Sequence, residues 1–231
     1  MKRVGAALLE ALKRDGAARQ TRMRGFALSE NDAEVLSFIS HRPCSIMSHV
    51  AEGVALSQTA VKWHARKLVK VELLACRDFR GRAAFCPVGM LTDAEAEIFS
   101  LLAFPEKRQI FRDLVESPGS SQDALAGKLG VTRQSISRTM REMAGLGLVA
   151  STRDGRAVRY YPTELLADSG DAYSERRKTL LDGTLARLSS LGLRPKVIKS
   201  EPAEVHILIG AKGMQANLRL GLNPYQTIFW D

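Results

Sequence analysis

Apolar residues recur in this chain with two spacings, one of about 3.6 positions and one of two, and the spacings alternate in the same order twice over. Glu30–Ser40 and Glu106–Glu116 each read as a helix followed by a proline, Pro43 or Pro118, which cannot continue it. A short second helix is predicted at Ser45–Glu52 and again at Gln122–Leu129, the latter capped by Ser121. Tight turns, Gly53–Leu56 and Gly130-Val131, lead to Ser57 and Thr132. Such hydroxyl residues accept a hydrogen bond from the free N–H groups of the next helix's first turn. That third helix carries Val61, Ala65 and Leu68 in one place and Ile136, Met140 and Met143 in the other, the spacing of one buried face. Val71–Leu74 and Leu146–Val149 then begin strands that turn back at Arg80-Gly81-Arg82 and Asp154-Gly155-Arg156, where glycine accepts a positive φ.

Shifted by 75 positions, Asn31–Ala75 overlays Glu106–Ala150 without a gap. Pro43 falls on Pro118, Ala51 on Ala126, Ser57 on Thr132, Val61 on Ile136, Arg66 on Arg141, Leu68 on Met143 and Leu73 on Leu148. Gly81-Arg82-Ala83 meets Gly155-Arg156-Ala157 at a shift of 74, and Pro87 meets Pro162 at 75 again, which predicts two hairpins of slightly different shape. Helix, helix, turn, helix, hairpin is the order of a winged helix. The expected fold is therefore mainly α with β-hairpin wings: two tandem winged-helix domains, over 26–90 and 91–168, and a small C-terminal α+β domain over 169–231.

Residues 1–25 read as a basic helix or arm, with Val4, Leu8, Leu9 and Leu12 on one side of Lys2–Arg14 and Arg19, Arg22 and Arg24 after it. In the C-terminal region a helix is predicted over Ala172–Leu191, with Leu181, Leu185 and Leu188 as its apolar seam. Strands are predicted at Lys196–Lys199, Glu204–Ile209, Met214–Leu220 and Gln226–Trp230. Gly210-Ala211-Lys212-Gly213 is a hairpin turn and lacks the spacing of a phosphate loop. An exposed apolar seam is costly. The apolar residues here exceed what a small sheet hides, so a homodimer is expected. Dimerisation, ligand sensing and recruitment of another factor all stay open for this region.

Charge sharpens the picture. Of 231 residues 34 are Lys or Arg and 25 are Asp or Glu, a net charge of +9, which favours a polyanionic partner. Residues 1–25 carry +5, 26–90 carry +2, 91–168 carry −1 and 169–231 carry +3, so the placement of individual arginines matters more than the total. The acids of the third segment gather at Asp93, Glu95, Glu97, Glu106, Asp113 and Glu116, away from its third helix. No apolar run approaches the ~18 residues of a membrane span, Met1–Leu12 does not read as a signal peptide, and three cysteines do not suit a disulfide framework. A cytoplasmic protein with no membrane partner is expected.

The stretch SSQDALAGKLGVTRQSISRTMREMAGLGLVASTRDGRAVRYYPT, Ser120–Thr163, resembles the winged-helix domain of ArsR- and MarR-like transcription regulators. The whole chain resembles the archaeal tandem winged-helix regulators, over roughly Phe26–Leu166 and more closely in the second unit. The resemblance implies a transcription regulator rather than an enzyme, with double-stranded DNA and the general transcription machinery as partners.

A helix lying in the major groove turns its outer face to base edges and phosphates. Without its apolar face, the third helix of the second unit presents Arg133, Gln134, Ser135, Ser137, Arg138 and Arg141, with Thr132 at its start. Arginine can read guanine, glutamine can read adenine, and serine can hold phosphate. The first unit offers Ser57, Gln58, Thr59, Lys62, Trp63 and Arg66, with Trp63 where the second unit has Arg138. That ring could pack on a sugar, a thymine methyl or a protein. The wings add Arg80 and Arg82, and Arg153 and Arg156. A competing reading is a winged-helix module that binds other proteins, as in chromosome-organising complexes, which usually lack a basic recognition face. RNA binding lacks an aromatic platform for stacked bases.

Enzyme signatures are missing: the chain has no His-Glu-x-x-His, nucleophile elbow, Walker loop or dinucleotide fingerprint, and no cofactor is expected. His41, Cys44 and His49 have no fourth metal ligand nearby. Cys76 and Cys86 lie equidistant from Gly81 and are expected across from each other on the wing, either as small apolar filling or as a redox switch or metal sensor.

Overall fold

The computed structural model describes residues 26–229 other than 80, 212 and 213. The expected N-terminal helix and arm, with Arg19, Arg22 and Arg24, and the wing residue Arg80 lie outside the described residues.

Helix α1 (Glu30–His41) starts at a reciprocal cap in which Ser29 accepts from the Asp32 backbone N–H and the Asp32 carboxylate accepts from that of Ser29. Then come α2 (Met47–Gly53), α3 (Gln58–Lys70) and the hairpin β1 (Leu74–Phe79) and β2 (Arg82–Pro87). Helix α4 (Asp93–Leu102) separates these from α5 (Pro105–Glu116), the two-residue strand β3 (Ser120–Ser121), α6 (Gln122–Leu129), α7 (Arg133–Gly145) and the hairpin β4 (Val149–Asp154) and β5 (Ala157–Pro162). Helices α1 and α5, helices α3 and α7, strands β1 and β4, and strands β2 and β5 begin and end 75 positions apart. The same run of elements is thus laid down twice. The sheets are antiparallel, and β3 adds itself to β5.

The two hairpins are equal in length. Each has a two-residue loop, 80–81 and 155–156, closed by Phe79 opposite Arg82 and by Asp154 opposite Ala157. Nothing is gained or lost between them; the left-handed glycine stands second in one loop (Gly81, φ 79) and first in the other (Gly155, φ 58). Because the first hairpin is centred between 80 and 81, Cys76 pairs with Phe85 and Cys86 with Ala75, not with each other.

The C-terminal region begins with α8 (Leu165–Ser190), which starts a full two turns earlier than the sequence suggests. Strands β6 (Arg194–Ser200), β7 (Glu204–Ala211) and β8 (Met214–Gly221) form one antiparallel sheet. Among the described residues the last expected strand is not formed: Pro224–Thr227 is a helical turn, α9, because Asn223 caps it through Tyr225 and Pro224 sits at its first position. Leu180 and Leu188 of α8 are buried, and Leu181 and Leu185 pack against the same core. The leucine seam is therefore covered in part by the chain's own core, with Leu181 and Leu185 half-buried.

Buried side chains form one continuous core from Leu28 to Ile228, with α4 inside it through Phe99, Leu101 and Leu102. Strand β8 lies on α1, and there the packing leaves no room for a side chain. The Gly221 N–H donates to Ser40 Oγ at 2.8 Å, and a Cβ on Gly221 would stand 2.6 Å from the Ser40 carbonyl oxygen. Among the described residues, no helix is long and apolar enough to cross a membrane.

Candidate nucleic-acid interface

Helix α7 is set in place by its inner face. Ile136, Thr139, Met140 and Met143 are buried, while Arg133, Gln134, Ser135, Arg138 and Arg141 are exposed and Ser137 is half-buried. Thr132 accepts from the Ser135 N–H at 3.2 Å, so its hydroxyl fixes where the helix begins. Arg138 is 81% exposed and lies 3.4 Å from Glu142, one turn on; Arg133 lies 3.4 Å from Asp123. Contacts this long from exposed arginines stabilise little and leave both guanidinium groups available. Among the described residues Arg141, Arg153 and Arg156 make no ion pair, and all three are exposed. Helix α7 and the wing of β4 and β5 thus bring five arginines to solvent.

Helix α3 repeats the plan with different chemistry. Val61, His64, Ala65 and Leu68 are buried, and Gln58, Thr59, Lys62, Trp63 and Arg66 are exposed. Ser57 caps the helix by accepting from Ala60. Trp63 is 59% exposed, yet its ring is held: it meets the His64 ring edge-on at 4.8 Å, and Lys67 Nζ lies 5.6 Å from its centroid.

What aims α3 is a buried cluster that the sequence reading missed. Asp32, fully buried on α1, accepts from His64 Nδ1 at 2.7 Å and from Lys67 Nζ at 2.5 Å, both on α3. Burial alone would push the Asp32 carboxyl up; the hydrogen bonds from His64, Lys67 and Ser29 outweigh it and hold the group below its ordinary value. One residue therefore closes the cap of α1 and anchors α3. The visible signal was an Asp at the third position of a capped helix, but its partners lie 32 and 35 positions away.

Arg82 does not join the exposed set. As the first residue of β2 it lies under α4, donates to the Ser100 carbonyl at 3.0 Å, and stacks 4.5 Å from the Phe104 ring. Arg77 on the neighbouring strand is held likewise, donating to Leu91 O and pairing with Asp93. The first wing is pinned by α4. The second wing stands free, with Ala150, Ser151, Thr152, Arg153 and Asp154 all exposed.

The cysteines are free thiols. Burial, reinforced by Cys86, pushes Cys44 up to about 12, and burial pushes Cys76 up to about 11 and Cys86 up as well. Such thiols hold little thiolate at neutral pH, which argues against a redox pair. Among the described residues, no group of His, Cys, Asp and Glu is arranged to hold a metal.

No family model matches the chain. It is similar to an uncharacterised HTH-type transcriptional regulator of Methanocaldococcus jannaschii, 23% identical over 137 residues; these are 59% of this chain and 34% of the relative, so the chain spans about a third of that protein's length. Among solved structures it is similar to an ArsR-like transcriptional regulator from Rhodococcus sp. RHA1, with 26% identity and a TM-score of 0.37 over 43% of this chain and 90% of the other. It is also similar to NolR from Sinorhizobium fredii, with 25% identity and a TM-score of 0.29 over 35% and 85% of the two chains.

Proposed function

We propose that this chain is a sequence-specific transcription regulator that binds double-stranded DNA through two winged-helix units in tandem. The observation that carries the reading is the pair of helices α3 and α7, which start 75 positions apart and turn basic, hydrogen-bonding faces to solvent above buried apolar ones. Similarity to an HTH-type transcriptional regulator supports the same reading.

In this account α7 reads bases. Arg133, Gln134, Arg138 and Arg141 offer forked donors and an amide to the edges of guanine and adenine, while Thr132, Ser135 and Ser137 lie near the phosphates. Arg153 and Arg156 reach the backbone beside it. Helix α3 anchors more than it reads, through Lys62 and Arg66, with Gln58 and Thr59 at its start and Trp63 against a sugar or thymine methyl. General transcription factors are a second class of partner.

The test is binding of the full chain to genomic duplex fragments at increasing salt. Several phosphate contacts make the affinity fall steeply, with a slope of roughly −0.9 per phosphate in a log–log plot. Affinity that ignores salt would contradict the reading.

A further inference from the structure

Between α1, the turn that leads into α3, and strand β8 lies an open groove of about 710 Å³. Pockets of this size hold small organic ligands. The half-buried ring of Phe38 lines it, with the Arg42 guanidinium 5.7 Å from the ring centroid. Gly53 crosses that ring so closely that a Cβ would stand 2.0 Å from it, and Gly53 does not have the left-handed φ that would otherwise call for glycine. Its bare backbone makes room for the ring. Val54 and Ala55 form one wall. Asn217 and Arg219 form the other, two positions apart on the solvent face of β8, whose Ala216, Leu218 and Leu220 point into the core.

The polar groups say what would fit. One nitrogen of Arg219, Nη2, lies 3.0 and 3.3 Å from the two oxygens of Glu204; the side chain is otherwise 60% exposed, with donors left over. Asn217 stands beside it with an amide that can also donate. Glu34 is the acid in the lining, Arg42 adds a second guanidinium to that of Arg219, and Glu204 behind Arg219 is already paired with it, so the groove favours a ligand that carries an acid group. We infer that this groove binds a small organic monoanion, a carboxylate or sulfonate on a flat apolar body, with the acid group on Arg219 and Asn217 and the body between Phe38 and Val54.

The place matters as much as the chemistry. Val54 and Ala55 belong to the link between α2 and α3, and Ala55 already holds a positive φ of 51. An occupant touching both this link and β8 binds best at one spacing of the two, so its occupancy and the setting of α3 are coupled. That consequence rests on the DNA-binding reading above; the site itself does not.

The test uses 8-anilinonaphthalene-1-sulfonate, a fluorescent aromatic monoanion, titrated into the full chain. Saturable one-site enhancement is expected. Asn217→Asp sets a like charge beside the ligand's acid group and should weaken binding at least tenfold, and Asn217→Trp should abolish it. Position 217 is exposed, so both variants should keep the wild-type melting temperature. Folded variants that bind the probe as the wild type does would overturn the site. For the coupling, duplex affinity is measured with and without saturating probe: a change of threefold or more is expected, and equal affinities would overturn it. Failure to bind any duplex without the probe would instead defeat the DNA-binding reading, leaving the site to the probe titration.

Discussion

Ser57 and Thr132, 75 positions apart, do the same work: each hydroxyl accepts the backbone N–H three residues on, Ala60 or Ser135, at 3.2 Å. The caps set the first residue of α3 and of α7, and with it which side chains face outward. Ser57→Ala and Thr132→Ala should each lower stability by about 1 kcal/mol, read as a lower urea midpoint at unchanged slope. A midpoint unmoved by either change would mean that packing alone sets the helix starts.

The arginines of the second unit divide by role from those of the first wing. Arg138→Ala and Arg133→Ala should each weaken binding to a specific duplex by about 1–3 kcal/mol and leave the melting temperature unchanged. Arg82→Ala should do the reverse, since its guanidinium is spent on Ser100 and Phe104. Equilibrium titration beside thermal melting separates the two. Arg82→Ala weakening DNA binding at full stability would return that residue to the interface.

These contrasts show what could be read from the sequence. The repeat was legible because Val61 and Ile136, or Leu68 and Met143, must be buried at fixed spacing, and spacing survives when identity does not. The outer faces of α3 and α7 followed by subtraction. The fate of Arg82 did not, because it depends on α4, which lies beyond the overlaid stretch and packs across the first wing. The Asp32 anchor depends on contacts over more than thirty positions. Cys76 and Cys86 were misplaced by one position, since counting from Gly81 assumes that the glycine is the centre of its turn.

Two carboxylates tie the C-terminal region to the rest, and they predict its response to acid. Burial would raise both, but Glu95 is held down to about 2 by Arg176, Thr92 and Tyr225, and Glu204 to about 2 by His206, His41 and Arg219. Their folded values lie below the ordinary 4.5, so their stabilisation is complete above that pH and is lost as pH falls toward about 2. Urea midpoints measured across this window should decline, and Glu204→Gln should decline less steeply. Parallel curves for wild type and variant would show that Glu204 contributes nothing.

Gly221→Ala tests the seat of β8 on α1. A methyl group there meets the Ser40 carbonyl oxygen, so the strand must shift or the helix must yield, at a cost of about 1–3 kcal/mol. The loss should appear in chemical denaturation, with faster amide exchange along β8. Wild-type stability would mean that the sheet rides loosely on the helix.

The most direct measurement is selection of genomic DNA fragments by the full chain, beside a variant carrying Arg133→Ala and Arg138→Ala. The account predicts that the wild type enriches fragments sharing a common sequence and that the variant loses this enrichment while remaining folded. Recovery of fragments in proportion to their input, with no shared sequence, would contradict it.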